Sequence, residues 1–381
     1  MPLSPTHPSR RLLALALLAL LTGCAGSGDF AWSNGDGPTL GDNPNPPVAN
    51  DDDAANDDDV ANDDDVADDD DVADDDDVAD DDDVADDDDV ADDDDVADDD
   101  DDLFVDCDNA PFQSSGETVL DGPRAYHGID FDALGLIVGS DGSSLIKSDY
   151  SGNWFVFLPG TGFMEQLVYL PNGDLAYAGA GDIMRVTPSG GLSVITPNLD
   201  MYGLILGPDN MLWAAGGDGV FHIDHTTGES TFLFDTPSTA HALGFSPEGD
   251  RLYIGTIGGS VVYSIDIDAN FDPIGQPAPF ATNVGGGWHD GVGVDVCGYL
   301  YVPDYWDSKL FRISPFGDVS VFVDWDPIPG GYGHGAVFGN GVGGFSEWNL
   351  YVPLPYGGNL VKEVEVGTPR AGWGGIVVNA P

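Results

Sequence analysis

Four residues of this 381-residue chain have the types and the placing to hold a metal ion: His127, His241, Asp290 and His334. Each heads a short recurring phrase. The phrases are His127-Gly128-Ile129-Asp130-Phe131, Gln166-Leu167-Val168-Tyr169-Leu170, Tyr202-Gly203-Leu204-Ile205-Leu206, His241-Ala242-Leu243-Gly244-Phe245, Asp290-Gly291-Val292-Gly293-Val294 and His334-Gly335-Ala336-Val337-Phe338. Their first residues are 39, 36, 39, 49 and 44 positions apart. If each phrase opens one structural unit and the units close into a ring, the six opening residues face one axis. Three imidazoles and a carboxylate there suit Zn²⁺ or another borderline transition metal. Calcium, which takes six to eight oxygens, is the other candidate. Gln166 and Tyr202 complete the axial pocket, with Glu165 or Tyr202 as a base and Trp288 and His289 flanking Asp290. The competing reading is that strand ends at an axis carry polar side chains to satisfy one another and water, with no metal involved.

The elements that must position these residues are strands. Each opening is a short apolar run followed by a turn, as in Pro171-Asn172-Gly173-Asp174, Pro208-Asp209-Asn210 and Pro247-Glu248-Gly249-Asp250. A second strand follows (Leu175–Ala178, Met211–Ala214, Leu252–Gly255, Tyr299–Val302, Leu350–Val352), then a third (Ile183–Val186, Leu310–Ile313) and a short apolar fourth (Trp154–Leu158, Leu192–Ile195, Val319–Val323). Four short strands every 36–49 residues, separated by Gly/Pro turns, predict an all-β fold, a six-bladed β-propeller over 103–381. A β-sandwich of similar strand density would show no fixed period and no repeated opening. Either Glu117–Leu120 or the C-terminal Ile376–Val378 completes the last blade, and both remain open.

Two stretches carry a family resemblance. Asp290–Asp295 with Gly298–Val302, and Leu243–Ile254, resemble blades of the gluconolactonase/regucalcin family, and NHL-repeat propellers and streptogramin lyases use similar phrases. The resemblance covers roughly 115–381. It implies a six-bladed propeller and, in the family, a divalent metal held at blade openings by Glu, Asn, Asn and Asp. Only Asp290 matches that set. His127 stands at the Glu position, and Tyr202 and His241 at the Asn positions. The oxygen cage for a hard cation is thus replaced by imidazoles. A similar principle operates in peptidyl-amidating lyase propellers, where three axial His bind zinc.

Residues 1–23 read as a lipoprotein signal: Arg10 and Arg11, the apolar run Leu12–Leu21, then Leu21-Thr22-Gly23-Cys24, which resembles a lipobox with Cys24 as the lipidated residue. The run is shorter than the about 20 residues that span a bilayer. Ala25 after the Cys predicts the outer membrane of the cell envelope. Residues 24–102 form the linker, and within it 51–102 hold 34 Asp and no basic residue, with Val60, Val66, Val72, Val78, Val84, Val90 and Val96 spaced by six. That spacing matches neither helix nor strand, and one Val and one Ala per repeat bury too little to fold, so an extended disordered stalk is expected. The rest, 103–381, has 32 acidic and 8 basic residues, a balance of −24, which excludes nucleic-acid binding through phosphate neutralisation. With Cys24 lipidated, Cys107 and Cys297 remain, and an oxidising compartment predicts a disulfide between them.

No Gly-x-Ser-x-Gly, Cys-x-x-Cys or His-Glu-x-x-His motif is present. Gly339–Gly344 matches a dinucleotide pattern by letter but lacks its strand–helix context. Trp154, Trp213, Trp306 and Trp348 read as strand packing, and Tyr305, Trp325, Tyr332 and Tyr356 as loop aromatics that line a ligand face. Two functions follow: a membrane-anchored monomeric module that binds a small molecule or protein, and a metal-dependent propeller hydrolase or lyase using the axial His/Asp set. The missing nucleophile motif and the broken lactonase cage lean towards the binding module.

Overall fold

The computed structural model describes residues 116–121 and 126–372 apart from 180, 218, 327 and 329, together with 105, 107 and 114. The signal, Cys24, the Asp-rich tract and Ile376–Val378 lie outside the described residues. The strands form six four-stranded units, and the first strand, β1 (Glu117–Asp121), belongs to the last of them. Blade one is β2 (Tyr126–Phe131), β3 (Ile137–Ser140), β4 (Ser144–Ser148) and β5 (Trp154–Pro159); blade two is β6 (Leu167–Tyr169), β7 (Leu175–Gly179), β8 (Asp182–Val186) and β9 (Leu192–Thr196). Blade three is β10 (Met201–Leu206), β11 (Leu212–Gly216), β12 (Gly219–Ile223) and β13 (Ser230–Phe234); blade four is β14 (Thr239–Phe245), β15 (Arg251–Ile257), β16 (Val261–Ile267) and β17 (Pro273–Thr282). Blade five is β18 (Gly293–Val294), β19 (Leu300–Asp304), β20 (Lys309–Ile313) and β21 (Val319–Asp324), and blade six holds β22 (Val337–Phe338), β23 (Asn349–Leu354) and β24 (Leu360–Glu365). The chain is therefore an all-β six-bladed propeller.

Strand chemistry follows position in the blade. The second strands β7 and β11 are continuous small and apolar runs, buried along their length, because neighbouring blades cover both faces. The outermost strand β5, Trp-Phe-Val-Phe-Leu-Pro, has no blade beyond it, and Trp154 is 52% exposed, so this Trp is not packed as its strand setting predicted. Between first and second strands the turns repeat one geometry. Gly173 donates to the Leu170 carbonyl, Asn210 to Gly207 and Gly249 to Ser246, each at 2.9–3.0 Å and each with positive φ. That left-handed residue is why Gly or Asn recurs there.

The core is six apolar wedges, one between each pair of neighbouring blades. Trp213 of blade three meets Phe245 of blade four edge-on at 5.1 Å. The wedge that closes the ring, between blades six and one, is aromatic: Phe131 lies 4.9 Å from Phe345 and 5.1 Å from Tyr351, centroid to centroid. Closure is completed by the N-terminal strand. β1 pairs antiparallel with β24, giving blade six the order β1-β24-β23-β22. The chain leading into β1 is fixed to blade five: Ser114 N–H donates to the Phe322 carbonyl at 3.1 Å, and Cys107 is disulfide-bonded to Cys297, their Cα atoms 5.6 Å apart.

Candidate metal centre

In blades one to four the opening residues reach the axis through β-bulges. The β2–β3 register shifts between Tyr126 and Ile129, β10–β11 between Met201 and Gly203, and β14–β15 between Ala240 and Ala242. The extra residues are His127 with Gly128, Tyr202 and His241. In blade two Glu165 N–H donates to the Ala178 carbonyl and Ala178 N–H to the Gln166 carbonyl, so two residues again face one. A bulge re-aims a side chain out of the pleat, and here it turns the opening residue towards the axis. His127 pays for this with a φ of 49°, the left-handed region that non-glycine residues seldom enter. The glycine after an opening permits close blade contact. A Cβ on Gly128 would stand 2.7 Å from the Glu165 carbonyl oxygen, the atom to which Gly128 N–H donates at 2.8 Å.

The blade openings gather His127, Asp290 and His334, all buried, with one ligand atom from each within 4.8 Å of the others. Nδ1 of His334 lies 2.6 Å from Oδ2 of Asp290, Nδ1 of His241 lies 3.0 Å from Oδ1, and Nδ1 of His127 lies 3.1 Å from Oε2 of Glu165. These approaches are close but lack hydrogen-bond alignment. Seven buried polar atoms therefore have no directed partner: Nδ1 of His127, Oε2 of Glu165, Nδ1 of His241, both Asp290 carboxylate oxygens and both His334 ring nitrogens. Burial normally demands such partners. Buried nitrogen and oxygen donors gathered at one point can hold a cation, and the donor set of His127, Asp290 and His334 fits a metal ion.

Electrostatics favour the ligand form of Asp290 and His334, while His127 is held towards its protonated form by Glu165. Burial opposes ionisation of Asp290, but the His334 and His241 imidazoles outweigh it and hold the carboxyl below the usual carboxylate range. Burial pushes His334 down against the pull of Asp290, which favours the neutral imidazole that can donate a lone pair. Burial also opposes protonation of His127, yet Glu165 overcomes it and raises the group; Glu165 is lowered in return, against its own desolvation.

Several expectations need correction. His241 stands outside the group of three and touches Asp290 instead, so it orients the carboxylate. His289 is not in the axial pocket: its Nε2 donates to the Val284 carbonyl at 2.9 Å and its Nδ1 accepts from Thr256 N–H at 3.3 Å, which uses both nitrogens inside the blade. Tyr202 stacks on His241 at 5.1 Å, and its phenol is pushed up by burial and then by Asp200. Gln166 lies in the axial pocket. Its Nε2 crosses the axis to donate to the Asp290 carbonyl at 2.8 Å, flooring the site. Beneath it the channel opens into a cavity of about 130 Å³ lined by Ile129, Leu167, Leu204, Leu243, Val294 and Val337, with Asp130 and Arg370.

The rim is aromatic. Trp288 faces His241 at 6.4 Å, and Tyr305 and Tyr356 lie 5.2 and 5.5 Å from His334. Phe163 stands edge-on to His127 at 4.9 Å. Trp325 is not on this face: it is 2% exposed and belongs to the wedge between blades five and six. Trp306, read from sequence as packing, is 59% exposed beside Trp288 and Tyr305.

No family profile matches the chain, and no curated protein matches it. Solved structures do. A luciferin-regenerating enzyme is 17% identical, with a TM-score of 0.57, over 69% of this chain and 99% of its own. Regucalcin from Agrobacterium tumefaciens, a calcium-binding protein, is 19% identical with a TM-score of 0.58, over 70% of this chain and 98% of its own. A gluconolactonase from Xanthomonas campestris is 17% identical with a TM-score of 0.57, over 67% and 90%. Identities this low establish the shared propeller fold and leave the activity to be argued from the site.

Proposed function

We propose that the chain is a metal-dependent propeller enzyme, a hydrolase or lyase whose ion is held by His127, Asp290 and His334. The observation that carries this reading is the set of buried, undirected ligand atoms at the axis. A module that only binds a partner on its surface gains nothing from burying a carboxylate among imidazoles at its axis, since a buried ion pair is costly even when it is paired. Two imidazoles and one carboxylate suit zinc over calcium. A bound divalent ion supplies Lewis-acid polarisation of a carbonyl and a lowered pKa for water. The chain's own residues hold and shape the site. Glu165 sets the His127 ring through Nδ1, leaving Nε2 for a ligand bond. His241 steadies Asp290, and Tyr202 packs against His241. The fold shared with a gluconolactonase makes a lactone or other small ester the first substrate to assay.

The reading includes a location. Export with a lipid on Cys24 at the outer membrane, and the Asp-rich tract as a stalk, is supported by the signal-like N-terminus and by the Cys107–Cys297 disulfide, which belongs to an oxidising compartment. The working form is a monomer with a small-molecule substrate.

Elemental analysis of untagged protein tests the centre. The expected result is about one equivalent of a transition metal, lost in Asp290→Ala and in His334→Ala. Metal at 100 times its Kd should add about 2.7 kcal/mol of stability to the chelated protein. Wild-type protein with no stoichiometric metal and no thermal shift from any divalent ion would overturn the proposal.

A further inference from the structure

We infer that the site selects substrates that carry an aromatic ring next to the group that meets the metal. The inference rests on the metal reading only for the position of that head group. Its evidence is the collar of rings over the centre. Three exposed rings, Trp306 at 59%, Tyr356 at 46% and Phe163 at 41%, gather around a polar buried site. Scattered exposed apolar residues need no explanation, but a cluster rimming a site marks a binding surface.

The collar is a connected structure on the side of blades five and six. Tyr305 stacks on Tyr332 at 4.5 Å, meets Trp306 edge-on at 5.2 Å and Trp288 at 5.4 Å, and stands 6.2 Å from Tyr356. The rings come from separate loops: 283–289, 305–308, 326–333 and 355–359. The corresponding turns of blades one, three and four are small and polar, with Asp141-Gly142-Ser143, Gly216-Gly217 and Gly258-Gly259. A ligand is thus offered a tall aromatic wall on one side and a lower edge on the other, with Phe163 standing beside His127.

The wall suits a flat apolar ring better than a sugar or a cation. Sugar recognition needs several carboxylates and amides around the stacking face; Asp307 follows Trp306 in the wall, but Asp141 on the low edge is already taken up by Ser143 and Ser144. A quaternary ammonium needs open aromatic faces on several sides, and here Tyr332 covers one face of Tyr305. The wall offers the exposed indole of Trp306 with Tyr305 and Tyr356 beside it, an array that an aryl group meets in offset or edge-to-face geometry. The ring would lie against this wall while its carbonyl or oxyanion points down at His334 and Asp290.

Two probes with one metal-binding head group separate the ideas. Acetohydroxamate and benzohydroxamate are titrated calorimetrically into full-length, zinc-loaded protein. Benzohydroxamate should bind about tenfold more tightly, the advantage of one or two good ring contacts. In Trp306→Ala/Tyr356→Ala that advantage should fall to about twofold or less, and Trp306→Phe should keep most of it. A matching melting temperature shows that the variants fold. Equal affinities of the two probes for wild type, with both bound, overturn the aromatic selectivity and leave the metal centre standing. Benzohydroxamate binding that persists in chelated protein and falls in the double variant sinks the metal reading and supports the aromatic one. Binding of neither probe overturns both.

Discussion

Breaking the Cys107–Cys297 bond should loosen the whole ring, because the bond encloses most of it. The two cysteines are 190 positions apart, and the loop between them contains blades one to four and the innermost strand of blade five. Chain-entropy bookkeeping for a loop of that length gives about 5 kcal/mol of stabilisation through the unfolded state. For a domain of this size each kcal/mol moves the melting temperature by about 2–4 °C, so the expected drop is about 10–20 °C. Cys107 is exposed, so reductant reaches the bond without unfolding. Differential scanning fluorimetry with and without a phosphine reductant measures the drop directly. Cys107→Ser/Cys297→Ser should melt where reduced wild type melts and be insensitive to reductant. The reasoning also requires an ordered effect: β1 should lose hydrogen-exchange protection before the inner strands do, since reduction frees the segment that delivers it to β24. A melting temperature that moves by less than about 2 °C in both reduced wild type and the double variant would refute the loop argument. Titration of two free thiols in native, unreduced protein would refute the bond itself.

Asp130, buried on β2, accepts from Phe131 N–H and Tyr169 N–H, yet desolvation is the larger influence and its pKa is raised from 3.8 to about 6. A folded pKa above the unfolded value means that stability is fullest below pH 4 and falls as pH rises through 6, by about 3 kcal/mol in all. Denaturant melts of wild type and Asp130→Asn from pH 4 to 7.5 should therefore diverge, the wild type losing about that much relative to the variant; parallel curves would contradict the shift. At the N-terminus, labelled palmitate should enter wild-type protein and not Cys24→Ala, and equal labelling of the two would remove the lipid anchor.

Much of the propeller is written in local chemistry. The repeated opening, the Asn172-Gly173 and Glu248-Gly249 turns and the buried second strands each need only neighbouring residues to be read. The axial residues were legible for a related reason: the bulged residue is also the first of the phrase, so one alignment found both. His289 was misread because adjacency in sequence is not adjacency in space. Successive strand residues face opposite sides, so Trp288 and Asp290 share a side that His289 cannot. Trp306 and Trp325 both look like loop aromatics next to strands. Which one is buried depends on how blade six closes over blade five, a contact between residues far apart in the chain. The separation of His241 from the other three depends on ångström-scale placement of a bulge, which no spacing encodes.

The six blade openings make the axial site a set of interchangeable sockets. Each opening residue is held by backbone hydrogen bonds to its neighbours, such as Gly128 N–H to Glu165, Gln166 N–H to Tyr202 and Gly335 N–H to Asp290, and those bonds do not depend on the side chain mounted there. The frame can therefore be refitted one position at a time. A carboxylate at His127 and amides at Tyr202 and His241 would turn a nitrogen-rich centre into an oxygen-rich one without moving a strand. Chemistry in such a scaffold changes by substitution at the mouth, while the wedges below continue to carry the stability.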